Sequence, residues 1–364
     1  MEGHFHARKP WLSYHEQFTP LLAGLVGALP SEVVAMNQLT VNLHLLMISF
    51  YRPESKRFKI LCEGKAFPSD QYAIESQVRF HGYDPAGAII EVFPREGEHC
   101  LRGEDILEAI SRNGDSLALV LLGGVNYYTG QAFDMKAITT SGHQAGAMVG
   151  FDLAHAAGNI SLELHDWNVD FACWCSYKYL NSGPGSVAGA YIHSRHLQDA
   201  AVPRLAGWWG HDKASRFRME KGFIPMPTAE SWQMSNAPVL SMAAHKAALD
   251  IFSEAGMLNL VEKSRKLTGH LEFILDGINE RLKEKGQQAI EIITPRDPSQ
   301  RGCQLSMLAH GRGKGLFDKL TAAGVITDWR EPHVIRCAPV PLYNSFEDNY
   351  RFGMLLSACL GSDI

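Results

Sequence analysis

Short apolar runs alternate with amphipathic stretches along the first half of this chain, and this alternation limits the fold more than any other feature. The predicted strands are residues 58–62, 88–93, 117–122, 147–151, 171–174 and 187–192. The predicted helices between them are residues 70–81, 104–112 and 134–144. Strands and helices in regular alternation predict an α/β domain built on a mainly parallel sheet.

The pattern of predicted helices and strands changes after Trp232. Long helices are predicted at 238–255 and 258–285, followed by short strands near 290–293, 303–308 and 334–337 and a last helix from Phe346. We therefore predict a large domain over residues 1–240, with 1–35 as its leading segment. A smaller α+β domain should occupy residues 241–364.

Composition narrows the classes of protein that this chain can belong to. Its 364 residues are 46% hydrophobic, which is enough for a large core. The net charge of −5, without a basic stretch, argues against a nucleic-acid partner. Seven scattered cysteines suit a reducing compartment better than a disulfide framework. No apolar run approaches the ~20 residues of a membrane span, and no signal peptide is visible, so we expect a soluble cytoplasmic protein.

A carboxylate and a lysine follow two neighbouring strands of the predicted sheet. Asp152 ends the run at 147–151, and Lys178 follows the run at 171–174, 26 residues later (178 − 152). Open α/β sheets bind their ligands at strand ends. Pyridoxal phosphate needs a lysine to form a Schiff base and a carboxylate to keep its pyridine nitrogen protonated. The pair therefore predicts a pyridoxal-phosphate site.

Other residues near these strand ends allow two interpretations each. Ser69 or Asp70 is either a helix N-cap or part of a segment that places the Phe67 ring on the pyridine. Thr40 is either a helix cap or, with backbone amides, a phosphate-binding group. His155 is either a packed, hydrogen-bonded residue or a contact to the cofactor ring.

Three more sequence patterns concern possible binding or interface residues. Arg336 lies in an apolar strand, where it needs either an internal ion pair or a substrate carboxylate. Trp208 and Trp209 form a loop of two exposed indoles that suits a rim or a subunit interface. The glycine-rich stretches at 183–189 and 311–315 fit neither a dinucleotide fingerprint nor a P-loop, and we interpret both as turns.

A metal site is not expected. His155, Cys173 and Cys175 are the nearest candidates for ligands, but no second ligand pair follows at the spacing of a zinc site.

Taken together, the segments resemble the kynureninase family, hydrolases with the fold-type I pyridoxal-phosphate-dependent transferase-like fold. The resemblance runs over nearly the whole chain. Its most specific pieces are MNQLTVNLH (36–44), KAFPSD (65–70), GFDLAH (150–155), DFACWCSYKY (170–179) and APVPLYNS (338–345). The element Asp-x-Ala-His alone would also fit cysteine desulfurases, whereas the block around Lys178 is far more particular.

The resemblance implies a role for each candidate residue. Lys178 would carry the cofactor, Asp152 would hold the pyridinium, and Tyr177 would act as an acid. The cofactor would be bound by Leu39, Thr40, Phe67, Pro68, Ser69, Asp70, Asp152, His155, Tyr177, Lys178, Trp208 and Asn236. The phosphate group would contact Leu39, Thr40 and Tyr177. Trp208 and Asn236 would reach the site across a homodimer interface. The substrate would contact His4, Asn236 and Arg336.

The implied reaction is hydrolysis of the Cβ–Cγ bond of L-kynurenine or 3-hydroxy-L-kynurenine. Two alternatives stay open: another fold-type I enzyme such as a cysteine desulfurase, and a non-catalytic isoform that serves as a dimerisation partner. The family's chain extends upstream of Met1, so we expect a fragment, a short isoform or a mis-assigned start. Gly123 replaces a hydroxyl residue near the phosphate, and Tyr127 or water would have to supply that hydrogen bond.

Overall fold

The computed structural model describes residues 2–361, which divide into two units. The first unit comprises 1–93, 101–124 and 134–255, without Met1, which lies outside the described residues. The second unit comprises 94–100, 125–133 and 256–361 of the described chain. No helix in this described part is long and apolar enough to cross a membrane.

Seven strands form one sheet in the first unit. In chain order they are β1 (Val33–Ala35), β2 (Lys59–Glu63), β3 (Ile89–Val92), β4 (Leu117–Gly123), β5 (Met148–Asp152), β6 (Phe171–Trp174) and β7 (Gly189–Ile192). Their order across the sheet is β1-β7-β6-β5-β4-β2-β3. The four pairings among β2 to β6 are parallel, and β7 is antiparallel to both β1 and β6. The prediction of a mainly parallel sheet is confirmed.

Helices accompany the strands of the first unit as the alternation predicts. They are α1 (Glu2–Phe5), α2 (Thr19–Val26), α3 (Leu39–Phe50), α4 (Pro68–Phe80), α5 (Pro85–Ala88), α6 (Gly103–Asn113), α7 (Met135–Gln144), α8 (Ser194–Leu197) and α9 (Val239–Ala255). Helix α3 packs on the sheet, with the Phe50 ring stacked 4.9 Å from that of Phe171. Gly150 on β5 makes room for this stack, because a Cβ there would lie 2.2 Å from the Phe171 ring.

The second unit is a smaller α+β structure, as predicted. Its strands are β8 (Ile290–Ile292), β9 (Leu305–Ala309), β10 (Asp328–Arg330) and β11 (Val334–Cys337), and its helices are α10 (Met257–Glu284), α11 (Gly313–Ala322) and α12 (Phe346–Leu360). The strands form an antiparallel sheet in the order β10-β11-β9-β8. Apolar residues of all three helices and of the sheet share one core. Their burial stabilises this unit.

The structure differs from the sequence-based expectations in several places. Helix α9 packs within the first unit, which extends to Ala255; the predicted domain division near residue 240 stays a prediction. His245 of α9 makes a 2.7 Å hydrogen bond with Ser182 and stacks on Phe18. Helix α11 begins at Gly313, inside a stretch expected to be a turn. Strands β1 and β10 and helix α2 were not predicted.

A buried carboxylate ties the middle of the sheet to its flanking helices. Asp170, just before β6, accepts a 2.7 Å hydrogen bond from the backbone N–H of Val149. Its two oxygens also lie 2.8 Å from His143 Nε2, 2.7 Å from His196 Nε2 and 2.5 Å from Arg195 Nη2. Burial alone would raise the pKa of Asp170, but these hydrogen bonds and the arginine charge hold the pKa well below its usual range.

We expect Asp170→Asn to lower the free energy of unfolding by about 3 kcal/mol at neutral pH, because the Arg195 guanidinium loses its buried anionic partner. The folded-state pKa of Asp170 is depressed, so its contribution is present above the unfolded value of about 4 and is lost as the pH falls. The difference between variant and parent should therefore shrink below about pH 4. Urea denaturation at several pH values measures this. The exposed Asp166→Asn is the control, and equal stabilities of parent and Asp170→Asn at neutral pH would contradict the account.

Candidate active site

The carboxyl ends of six strands, β1 to β6, lie at one edge of the first unit's sheet. Strands β2, β4, β5 and β6 are parallel, so their carboxyl ends share this edge. Strand β1 ends there too, because β7 runs antiparallel to both β1 and β6. The candidate residues Leu39, Phe67, Asp152 and Lys178 each follow or end one of these strands. The topology thus gathers residues that are far apart in sequence.

Asp152 provides the buried anion of the site. It is the last residue of β5, is 6% exposed, and accepts a 2.7 Å hydrogen bond from the backbone N–H of Ala154. Burial raises the pKa of Asp152, whereas the Ala154 N–H, the positive charge of Lys178 and a hydrogen bond from Asp70 act to lower it. Gly123 pairs with Asp152 in the strand register and brings no side chain.

Asp70 shares a proton with Asp152. Burial and the negative charge of Asp152 raise the pKa of Asp70 well above its usual range. The protonated Asp70 carboxyl therefore donates a hydrogen bond to the Asp152 carboxylate. The two side chains together carry one negative charge and one proton, an arrangement that a cation beside Asp152 would stabilise.

Lys178 lies within reach of a base and an aromatic face. Its Nζ atom is 3.2 Å from His155 Nε2 and 5.5 Å from the centre of the Phe67 ring. The His155 ring in turn meets the edge of Tyr179, with ring centres 5.7 Å apart. Lysine, imidazole and phenyl ring therefore converge at the sheet edge that holds Asp152.

The two helices that begin at this edge do not use the predicted caps. Helix α3 has Gln38 at its N-cap position, so the interpretation of Thr40 as a cap is wrong. Thr40 is the exposed second residue of α3, next to the buried Leu39. No side-chain hydrogen bond caps this helix, which leaves its first amides and the Thr40 hydroxyl for a ligand.

Helix α4 begins at Pro68, after Phe67 at the N-cap position, so neither Ser69 nor Asp70 is the cap. Instead, the Ser69 hydroxyl donates a 3.2 Å hydrogen bond to Asp70 Oδ1. Phe67 is 37% exposed, and Lys178 Nζ lies over its ring.

Tyr177 offers a neutral phenol beside Lys178. Burial raises the pKa of Tyr177 to about 12, and the neighbouring Cys175 and Asp152 act in the same direction. The tyrosine therefore keeps its proton at neutral pH and is able to donate it. Its side chain is 44% exposed in the single chain.

Three of the predicted residues lie elsewhere in the first unit and are exposed. Trp208 is 49% exposed, meets the edge of the Phe217 ring and donates a 3.3 Å hydrogen bond to the carbonyl of Arg216. His4 contacts Trp11 edge-on, with ring centres 5.4 Å apart, and Asn236 lies in a loop before α9.

The expectation of two exposed indoles is wrong for Trp209. This side chain is only 3% exposed, and the Arg216 guanidinium lies 4.4 Å from the centre of its ring. The Trp-Trp pair thus divides into one core residue and one surface residue.

Arg336 belongs to the second unit, where the structure shows the internal ion pair that was one of its two interpretations. Its guanidinium pairs with the Asp328 carboxylate and donates a 2.5 Å hydrogen bond to the carbonyl of Tyr127. Asp328 was not predicted as the partner of Arg336, because β10 is short and half-exposed.

Asn42 is a buried residue that fixes the start of α3, and it was not among the predicted site residues. The Asn42 amide donates to the carbonyls of Met36 at 3.0 Å and Gly189 at 3.4 Å and accepts from Asn37. The sequence feature that could have identified Asn42 is a polar residue within an otherwise apolar helix.

Two groups of side chains in the described residues have the composition of a cation site: Glu32, His165 and His193, and His15, Glu16 and Glu230. In the first group, Glu32 already accepts hydrogen bonds from the backbone N–H groups of Leu29 and Ser194. In the second, Lys213 supplies the cation. His155, Cys173 and Cys175 belong to neither group.

We expect Asp70→Asn to be at least as stable as the parent at neutral pH, since the amide still donates a hydrogen bond to Asp152. The folded-state pKa of Asp70 is raised, so the folded parent binds more protons than the unfolded chain above pH ~4. Parent stability should therefore decline with rising pH in this window, and the variant should lose that decline. Chemical denaturation between about pH 5 and pH 8 tests this, with the exposed Asp115→Asn as control. If Asp70→Asn lost as much free energy of unfolding as a protein that loses one member of a buried ion pair, the proposal that Asp70 and Asp152 share a proton would be contradicted.

Comparisons with known proteins identify the family. The family model "Aminotransferase class-V" matches residues 82–294, and "Kynureninase C-terminal domain" matches residues 260–356. Kynureninases of Flavobacterium psychrophilum and Flavobacterium johnsoniae are each 60% identical over 98% of this chain and 83% of their own length. The apo structure of a cysteine desulfurase from Thermococcus onnurineus NA1 shares the fold, with a TM-score of 0.76 at 16% identity, covering 95% of this chain and 84% of that one. The chain belongs to the kynureninase family and has the fold of class-V aminotransferases.

Proposed function

We propose that this chain hydrolyses the Cβ–Cγ bond of L-kynurenine or 3-hydroxy-L-kynurenine. The products are L-alanine and anthranilate or 3-hydroxyanthranilate, and one water molecule is consumed. Identity of 60% over nearly the whole chain supports this reaction, whereas the desulfurase alternative has only a shared fold at 16% identity. The observation that carries the proposal is the convergence of Lys178, His155 and the Phe67 ring beside the Asp152 carboxylate.

The residues at the sheet edge fit pyridoxal phosphate. When bound, this cofactor supplies an electron-accepting ring that stabilises negative charge developing on the substrate's α-carbon. The pair of Asp152 and Asp70 holds one negative charge in a buried place, which matches one protonated pyridine nitrogen. The uncapped start of α3 offers amides and the Thr40 hydroxyl for a phosphate.

In this proposal the residues named for the cofactor each contact a different part of it. Lys178 forms the covalent link, Asp152 holds the pyridine nitrogen, and Phe67 stacks on the ring. Leu39, Thr40 and Tyr177 bind the phosphate. The remaining contacts come from Pro68, Ser69, Asp70, His155, Trp208 and Asn236.

Proton transfers fall to Lys178 and Tyr177. Lys178 would act as the general base for the α-proton, and His155 lies 3.2 Å away to exchange a proton with it. Tyr177 keeps its phenolic proton at neutral pH, because its pKa is about 12, and it delivers a proton to the β-carbon. Arg336 binds the α-carboxylate of the substrate, and His4 with Asn236 contacts its aryl ring.

A second copy of the chain completes the site in this proposal. Trp208, Phe67 and Tyr177 are each more than a third exposed in the single chain, which is unusual for aromatic residues at a catalytic site. We propose a homodimer in which Trp208 and Asn236 of one copy serve the site of the other. None of the seven cysteines, all within the described residues, forms a disulfide, which supports a cytoplasmic location. Membership of the kynureninase family supports a role in tryptophan degradation and pyridine nucleotide synthesis.

Lys178→Ala should remove steady-state turnover of kynurenine, with a loss of at least about a thousandfold, while the fold is retained. Anthranilate fluorescence measures turnover, and circular dichroism verifies the fold. The exposed Lys319→Ala is the control and should keep full activity. Sustained turnover by Lys178→Ala would refute the assignment of this lysine.

Mixed dimers test the shared site. Alone, Lys178→Ala subunits should be inactive and Trp208→Ala subunits weakly active, yet mixing them should restore up to about a quarter of parent activity if subunits exchange at random. The restored activity arises because one site of each mixed dimer would contain both wild-type residues. Light scattering should confirm the dimer mass of each preparation. Mixed dimers without restored activity would contradict the contribution of Trp208 across the interface.

A further inference from the structure

The Arg336 guanidinium is held in a nearly buried place within the second unit. Arg336 lies on β11, between Ser306 on β9 and Asp328 on β10, each directly opposite in the strand register. Its side chain is only 10% exposed. A cation in such a place needs acceptors for its five N–H groups.

The acceptors present leave part of this guanidinium unsatisfied. Nη1 donates to the carbonyl of Tyr127, and Nη2 pairs with Asp328 Oδ2. The N–H at Nε is buried and has no hydrogen-bond acceptor among the described residues. Nε and Nη2 together form the edge that binds a carboxylate in bidentate geometry. Asp328 Oδ2 therefore satisfies only half of that edge.

Asp328 is the more exposed member of this pair. Its side chain is 44% exposed, and the same oxygen also lies 3.2 Å from Arg330 Nη2, so it keeps a partner if it leaves Arg336. Arg336 is fixed instead by burial and by the Tyr127 carbonyl. Exposed carboxylates give up an ion pair at low cost, since water and a second cation replace the first.

We propose that Asp328 is a built-in competitor that occupies the carboxylate-binding edge of Arg336 until a substrate carboxylate displaces it. This inference rests on the proposed role of Arg336 in binding the substrate and adds a residue that sets the affinity. The ligand gains the Nε donor that Asp328 leaves unused, and Asp328 transfers to Arg330 and water. Asp328 thereby weakens binding of substrate and of the alanine product alike.

The test measures binding of L-alanine to the protein saturated with pyridoxal phosphate by titration calorimetry. Asp328→Asn removes the competing charge and should lower the Kd for L-alanine about two- to fivefold, the range expected for an exposed ion pair. Binding of L-alaninamide, which lacks the carboxylate, should not change. Asp318→Asn, an exposed change of equal charge in α11, is the control. The KM for kynurenine should fall in Asp328→Asn.

Two further comparisons make the inference falsifiable. In an Arg336→Gln background, Asp328→Asn should have no effect on alanine binding, because the two residues act through one interaction. Weaker alanine binding by both Asp328→Asn and Asp328→Ala would make Asp328 a residue that positions Arg336 and would overturn the competitor. Unchanged binding would overturn it as well.

The same data separate this inference from the proposed reaction. Tighter alanine binding by Asp328→Asn without any kynurenine turnover by the parent would support the competitor and refute the reaction. Turnover by the parent with unchanged alanine affinity in the variant would do the opposite.

Discussion

The buried negative charge of Asp152 is the interaction on which the rest of the site depends. A carboxylate at the end of β5 is costly in a buried place unless positive charge or hydrogen-bond donors surround it. The Ala154 N–H, the proton of Asp70 and the charge of Lys178 supply this compensation in the chain alone. A protonated pyridine nitrogen would complete it, which explains why the same residues suit one kind of cofactor.

The sheet places these compensating groups by topology. Parallel pairing of β2, β4, β5 and β6 brings the segments that follow each strand to one edge. The antiparallel insertion of β7 adds the start of α3 to the same edge. Asp170 holds β6 beside β5 through the Val149 N–H and its histidine and arginine partners, so the distance between Asp152 and Lys178 rests on a second buried carboxylate.

Sequence patterns predicted six of the seven strands of the first sheet, β2 to β7, and the pair Asp152 and Lys178, because strand periodicity is local. Helix caps were harder to predict: Gln38 and Phe67 begin α3 and α4, although Thr40, Ser69 and Asp70 are better cap residues. Because the caps lie elsewhere, the polar groups of Ser69 and Asp70 form hydrogen bonds within the site instead. The change of unit at Ala255 was not predictable, since it depends on the contact of His245 with Ser182 and Phe18.

Long-range ion pairs could not be predicted from the sequence either. An arginine in an apolar strand indicates a partner without naming it, and only the pairing of β10 with β11 identifies Asp328. The roles of His4, Asn236 and Trp208 come from the family resemblance, and their exposure in the single chain is consistent with a site completed by a second copy.

The most direct test of the account is product analysis of the purified chain saturated with pyridoxal phosphate. Kynurenine and 3-hydroxykynurenine would be supplied separately, with alanine and the aromatic product quantified together. The account predicts anthranilate or 3-hydroxyanthranilate in a one-to-one ratio with alanine. Absence of both aromatic products, or release of sulfide from cysteine in their place, would contradict it.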